Sequence, residues 1–306
     1  MEEQVPLPLE DILAEVLDEA RPLRDAAVAD LSDLDRAGRE LFRQCWSRAG
    51  VGRRRLVISR MVELAEDNFD LDFDRVFLVA LEDADPVVRA RAASGLSQSE
   101  DVAVVSPLVR LLVGDSSEPV RVAAAQALGK AVMLAELGKV SERQALKVRG
   151  ALLGVVEDRR EGVELRRRSL ESLSPWASPR VAALIEDAYH SGDPGFRASA
   201  VYAMGMSCDS RWLSILFDEL LSDDPRLRCE AAHSCGEIAG PEAVPHLLGL
   251  LHDEDIEVRL AVIWALGQIG GREAKEALRS LLEGDDRVKE AVEGALAEIH
   301  AGEGLV

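Results

Sequence analysis

Aromatic side chains are scarce in this sequence: two Tyr, four Trp and six Phe among 306 residues. With 47% hydrophobic residues and so few rings, the core must be built from Ala, Val, Leu and Ile, the mix used by closely packed helices. Cysteine is scarce too. Cys45, Cys208, Cys229 and Cys235 form no paired CxxC spacing, which argues against a disulfide framework and for free thiols in a reducing compartment. Basic residues number 36 against 56 acidic ones, leaving −20. A surface made for polyanions would work against that field, so no nucleic-acid partner is expected. No apolar run of about 18 residues exists, so no membrane insertion is expected. The acidic opening MEEQVPLPLEDILAEVLDEA lacks the basic and apolar regions of a signal peptide, which makes a cytoplasmic location the expectation.

What the sequence does have is repetition. The segments QALGKAV (126–132), YAMGMSC (202–208), HSCGEIAG (233–240) and IWALGQIGG (263–271) align, each with an Arg seven residues before its Leu-like position. The anchors are Arg54, Arg89, Arg121, Arg166, Arg197, Arg228 and Arg259, with Lys289 in the last copy; they lie 35, 32, 45, 31, 31, 31 and 30 residues apart. Asp85-Pro86, Asp193-Pro194 and Asp224-Pro225 read as helix starts, with Asp accepting from free amides and Pro in the first turn; Asp255 and Asp285 hold the same place without Pro. Positions +3, +4 and +7 from the anchor are apolar in nearly every copy, a 3.6-period buried stripe. Gly129, Gly205, Gly236 and Gly267 recur at +8, and Gly240 and Gly270 sit where a left-handed helix cap is expected. A second amphipathic helix follows, as in PEAVPHLLGLLHD (241–253), with Val244, Leu247, Leu248 and Leu251 on one face. Two helices in about 31 residues bury their faces only by stacking on neighbouring copies.

The pattern DP-x-x-R-x-x-A-A-x-A-L-G-x-I-G followed by AVPxLLxLL resembles the HEAT repeat, and is most similar to the bacterial phycobilisome-lyase type. The resemblance covers roughly residues 50–300 and implies an all-α fold, an α-solenoid (armadillo-like superhelix) of about eight helix pairs. Residues 1–50 carry helical patterns at Leu9–Ala20, Arg24–Leu31 and Leu34–Ala49 without the anchor, and are expected to be an N-terminal helical cap. The repeat array is expected over 51–300, with an insert near 133–146 that either lengthens helices or protrudes toward a partner. Residues 301–306 form a short tail.

At 100° per residue, positions +1, +2, +5 and +9 of the anchor helix point away from the buried stripe. By the resemblance they line a concave groove. Position +5 carries Tyr202, His233 and Trp264 in three successive copies, an aromatic row of roughly 20 Å for helices about 10 Å apart. Met206, Glu237 and Gln268 at +9, Cys229 and Leu260 at +1, and Ser199 and Glu230 at +2 surround it. Tyr and Trp are favoured interface anchors.

Cys229, His233 and Glu237 are spaced i, i+4, i+8 and share a helix face, a spacing that offers ligands to a soft divalent metal or a Cys–His nucleophilic pair. The adjacent copies offer Tyr202, Met206, Trp264 and Gln268, poor zinc ligands, and no oxyanion device accompanies the pair. Cys235 occupies the +7 core slot. HEAT-like deoxyhypusine hydroxylases carry repeated His-Glu dipeptides as iron ligands, whereas none of the five His here precedes Glu. HEAT-like DNA glycosylases need a basic groove, but these rows carry Glu171, Glu230, Glu237 and Glu290 beside Arg91, Arg167 and Arg168.

The expectation is therefore a non-catalytic scaffold or adaptor binding a protein or peptide, with a basic segment favoured by the acidic total. Its contact residues would be Tyr202, Met206, Glu230, His233, Glu237, Leu260, Trp264 and Gln268. No catalytic residue, metal ligand or cofactor is assigned. Two alternatives stay open: a phycobilisome lyase-like subunit or chaperone handling a tetrapyrrole-bearing protein, and a metal-dependent enzyme at Cys229/His233/Glu237.

Overall fold

The computed structural model describes residues 7–282 and 285–303, so residues 1–6 of the expected cap and 304–306 of the expected tail lie outside the described residues. The architecture is an all-α solenoid, with eighteen α-helices and no strand among the described residues. The helices pack into two compact units, Met1–Ser172 and Leu173–Val306. The first contains α1 (Leu9–Val16), α2 (Asp25–Ala29), α3 (Arg36–Trp46), α4 (Val51–Asp67), α5 (Asp74–Ala80), α6 (Pro86–Gly95), α7 (Val105–Gly114), α8 (Glu118–Glu136) and α9 (Glu142–Glu157), and α10 (Val163–Leu173) ends at the boundary. The second contains α11 (Pro179–Tyr189), α12 (Pro194–Met206), α13 (Leu213–Glu219), α14 (Pro225–Ile238), α15 (Val244–Leu248), α16 (Ile256–Ile269), α17 (Arg272–Ser280) and α18 (Asp286–Glu303).

Within each unit the anchor helices stack on one another and the alternate helices form the second layer. In the first unit α6 packs against α4 and α8; in the second, α14 packs against α12 and α16, and α16 against α18. The buried stripe is realised completely in the Arg copies. All three stripe positions of all seven are fully buried, from Val57, Ile58 and Met61 through Ala231, Ala232 and Cys235 to Val262, Ile263 and Leu266. The Lys289 copy keeps only Val292 buried, and Glu293 at +4 is exposed.

Helix starts follow the Asp signals. Asp85 accepts from the Val87 and Val88 amides, Asp193 from Phe196, Asp224 from Arg226, Asp255 from Glu257 and Val258, and Asp285 from Arg287. Both glycine-marked helix ends differ from the expected left-handed cap. Gly270 ends α16 with positive φ but extended ψ (φ 70°, ψ −154°), whereas Gly240 is extended (φ −75°, ψ 125°) and Ala239 takes the left-handed conformation instead (φ 52°). Gly240 is selected by space: a Cβ there would lie 3.0 Å from Leu213 Cδ1. The 241–253 segment is also shorter as a helix than its pattern, with α15 ending at Leu248, although Val244, Leu247 and Leu251 are buried. Around the 133–146 insert, α8 and α9 run to 19 and 16 residues, joined by a turn at 137–141.

The anchors themselves are clamps. Arg228 bonds both oxygens of Asp253 at 2.8 Å and the Ser222 carbonyl at 2.9 Å. Asp253 in turn accepts from the amide of the next cap residue, Asp255. The same arrangement recurs at Arg54–Asp83 with the Asp85 amide, and at Arg89–Asp115 with the Ser117 amide. An acid two residues before a helix cap thus ties one repeat to the next. Arg121 reaches Glu161 instead, and Arg197 reaches Glu219, a fully buried carboxylate that also accepts from Tyr189.

Candidate partner-binding face of the second unit

The anchor helices of the second unit bury +3, +4 and +7, so the remaining rows of α12, α14 and α16 face outward together. Tyr202, His233, Glu237 and Gln268 are exposed, while Met206, Glu230, Leu260 and Trp264 are half-buried. All eight expected contact residues therefore reach the surface of one helix layer. Ser199, expected on the same face, is buried at 1% exposure, because the +2 position of α12 turns into the helix packing.

Two of the three rings meet. His233 and Trp264 have centroids 5.1 Å apart, tilted by 49°. Trp264 lies across the furrow between α14 and α16, over Gly236, where a Cβ would come within 2.6 Å of Trp264 Cζ3 and 2.8 Å of the Ala265 Cα. The glycine thus seats the indole, and the indole flanks the imidazole. Partial desolvation of the His233 ring, one side of which packs on Trp264, lowers its pKa below the ordinary 6.5, so the ring is neutral at pH 7.

On the Cys229/His233/Glu237 face the thiol, like the imidazole, is held in its neutral form at pH 7. Burial, with Glu230, Glu257 and Asp255 nearby, pushes the Cys229 thiol up to about 11. The thiol is therefore protonated at neutral pH, and its Sγ lies 3.7 Å from the Glu257 carbonyl oxygen. Cys235 is fully buried and its thiol is pushed up to about 12 by burial alone. Among the described residues no three His, Cys, Asp or Glu side chains are grouped so as to hold a metal ion, and no helix is long and apolar enough to cross a membrane.

Charge concentrates here. The second unit holds 24 acidic and 11 basic residues, a net of −13. Arg226 and Arg287 are engaged by Asp224 and Glu257. Two features escaped the sequence reading. Cys208 is exposed with a left-handed backbone (φ 51°), and its Sγ lies 3.7 Å from the Glu237 carbonyl oxygen at the rim of this face. In the first unit, the corresponding rows of α6 and α8 enclose an open furrow of about 760 Å³.

The chain matches the family model for HEAT repeats over residues 75–152 and 212–297. No curated protein matches it. Among solved structures, the complex of CpcE and CpcF of phycocyanin lyase from Nostoc sp. PCC7120 is similar, at 17% identity and a TM-score of 0.55, covering 97% of both chains. Human deoxyhypusine hydroxylase is 20% identical over 96% of both chains, with a TM-score of 0.38. Kap95p from a complex with RanGDP is 12% identical over 96% of this chain and 51% of that one, with a TM-score of 0.41. The Nostoc likeness bears on the fold, which it shares. With its repeats matched across more than half its length and the stripe, caps and clamps in phase, this chain belongs to the family of HEAT repeats.

Proposed function

We propose that this protein is a scaffold or adaptor, and that the outward face of α12, α14 and α16 docks a basic segment of a partner protein. The observation that carries the reading is the coincidence of chemistry on one face. Tyr202, His233 and Trp264 supply rigid, amphipathic contact area in three consecutive repeats, and Glu230 and Glu237 flank them in the more acidic unit. Rings of this kind lose little conformational entropy on binding and dominate interface energetics. The flanking carboxylates steer a cationic partner and disfavour an anionic one. Trp264 is held in place by Gly236 before any partner arrives, which lowers the ordering cost.

The test is selection from a random peptide library against the whole chain. Sequences pairing Lys or Arg with an aliphatic or aromatic residue should be enriched. The enrichment should vanish for Glu230→Lys/Glu237→Lys, which alters the charge of the face and leaves the buried stripe untouched. Enrichment without basic residues, or enrichment indifferent to the charge reversal, would count against this face.

A second reading is a subunit or chaperone acting on a tetrapyrrole-bearing protein. It is supported by the fold likeness to the phycocyanin lyase complex. A visible absorbance band acquired on mixing with a bilin and passed on to an acceptor protein would favour it. An unchanged spectrum would remove it.

A further inference from the structure

Short helical turns lead into α7, α13 and α15, and the three are built alike. Val102–Val104, Ser210–Trp212 and Pro241–Ala243 each bury their third side chain, which is Val104, Trp212 or Ala243. An indole thus stands where the other two repeats use a small aliphatic group. Trp176, in the loop before α11, shares one cavity with it, so half of the chain's four Trp line a single opening. The cavity lies wholly within the second unit and measures about 170 Å³, with Trp176, Val181, Ala182, Ile185 and Trp212 as its apolar walls. Apolar cavities of about 150 Å³ take up benzene, so this one has the size for a single aromatic ring.

The polar side of the cavity offers donors. Asp209 and Arg211 are the two charged residues that line it. Arg211 donates through Nε to Asp209 at 2.6 Å, and its guanidinium carbon stands 5.8 Å from the centroid of the Trp212 ring. The guanidinium is therefore held in place before a ligand arrives, and its two terminal nitrogens have no partner among the described residues. Trp212 is 5% exposed, and its Nε1–H likewise has no hydrogen-bond partner among the described residues. A buried indole N–H usually finds one. Ser178, Pro179 and Val181 of the first turn of α11 also line the cavity, which puts the positive end of that helix beside it. Asp209 offsets the charge of Arg211 but takes it at Nε, leaving free the end-on edge whose paired N–H groups match a carboxylate.

We propose that this cavity binds an aromatic carboxylate. The ring packs against Trp176 and Trp212, and the carboxylate, a few bonds away, accepts from Arg211 and from the Trp212 N–H. A free aromatic acid and the C-terminal aromatic residue of a peptide share this chemistry. The unit, with 11 basic residues against 24 acidic, repels an anion at long range, so recognition rests on contact rather than steering.

The test uses the full chain labelled with ¹⁵N at Trp, in about 0.15 M salt, where the Debye length is about 8 Å. The four indole N–H signals are assigned by single Trp→Phe variants. Titration with 3-phenylpropionate should shift the Trp176 and Trp212 signals, leave those of Trp46 and Trp264 in place, and give a Kd of about 1 mM or below, the range of a small fragment. Acetate, without the ring, and 3-phenylpropionamide, without the charge, should each bind at least about tenfold more weakly. Arg211→Gln should erase the difference between acid and amide; Arg211 is 59% exposed, so the fold is kept. Ala182→Phe, which fills the cavity, should abolish binding, with unmoved Trp46 and Trp264 signals as the check on folding. A peptide ending in Phe separates the two sources. Tighter binding of its free terminus than of 3-phenylpropionate, lost on amidation, assigns the site to a polypeptide C-terminus; exclusion of the peptide while the acid binds assigns it to a free acid. A Trp212 signal unmoved by the acid at about ten times the expected Kd overturns the proposal. So does an amide that binds as tightly as the acid, or acid binding indifferent to Arg211→Gln.

Discussion

Replacing Arg228 by Met keeps the aliphatic stem and removes the clamp between two repeats. Four hydrogen bonds are lost: two charge-assisted bonds to Asp253 at 2.8 Å, one to the Ser222 carbonyl at 2.9 Å and one to the Asp223 carbonyl at 3.4 Å. The side chains are 10% and 6% exposed, so water cannot replace the guanidinium easily, and Asp253 keeps only the Asp255 amide. Breaking a buried pair by removing one partner costs about 3–5 kcal/mol. A pair at the edge of burial belongs at the low end, about 3 kcal/mol. The assay is a double-mutant cycle of Arg228→Met and Asp253→Asn, read by urea denaturation with helical circular dichroism. The exposed pair Arg226–Asp224, with Arg226 89% exposed, serves as the internal comparison and should show a much weaker coupling, because solvent screens it. The pH dependence has a definite sign. Arg228 beside Asp253 holds that carboxyl below its ordinary 3.8. A depressed folded-state pKa stabilises above the unfolded value, so the coupling is full at pH 7 and disappears as pH falls below about 3.8 through the folded value. Equal couplings at the two pairs, or a coupling unchanged in acid, would refute the clamp.

Ala239→Gly should stabilise the chain by about 1 kcal/mol, since Ala239 holds a left-handed conformation that costs an L-residue roughly 1–2 kcal/mol; thermal melts check it. Gly236→Ala should destabilise by about 1–3 kcal/mol, because the added methyl meets Trp264 and the Ala265 backbone, and Trp264 emission should shift to the red as the ring is pushed out. Ser169→Ala should be neutral or stabilising by up to about 1 kcal/mol, because the Ser169 hydroxyl is fully buried with no hydrogen-bond partner among the described residues. Protonation of His233 should quench Trp264 with a midpoint below 6.5, since partial desolvation lowers the imidazole pKa. That pH-dependent component should be absent in His233→Gln.

The layers of this fold were legible because repetition multiplies weak signals. A single Ala-Ala-x-x-Leu pattern says little, but seven copies in phase with an Arg identify the buried stripe, and every one of those positions is buried. The Asp caps were legible for the same reason. The clamp partners were not, because the acids lie at variable separations: 29 residues for Arg54–Asp83, 26 for Arg89–Asp115, 40 for Arg121–Glu161, 22 for Arg197–Glu219 and 25 for Arg228–Asp253. A usable signal was present in Asp83-Ala84-Asp85 and Asp253-Glu254-Asp255, where the acid precedes the cap by two. The Ala239/Gly240 exchange was hidden because Gly240 is needed for its contact with Leu213 more than for its backbone freedom. The outward rows followed from helical geometry, so the eight face residues could be placed before the fold was seen. Ser199 could not, because the +2 row sits at the margin between packing and solvent. The furrow beside Ser94 and Gln126 was invisible because an opening is made by side chains that are small or absent, and pattern reading looks for those that are large.

The most direct measurement of the docking claim compares three forms of the chain as bait in lysate of its native host. These are wild type, Tyr202→Ala/His233→Ala/Trp264→Ala, and Glu230→Lys/Glu237→Lys, each with helical circular dichroism intact. The account predicts that a protein with an exposed basic segment is retained by wild type and lost by both variants, and that its isolated segment binds wild type alone. A partner retained equally by all three forms would place binding off this face and contradict the account.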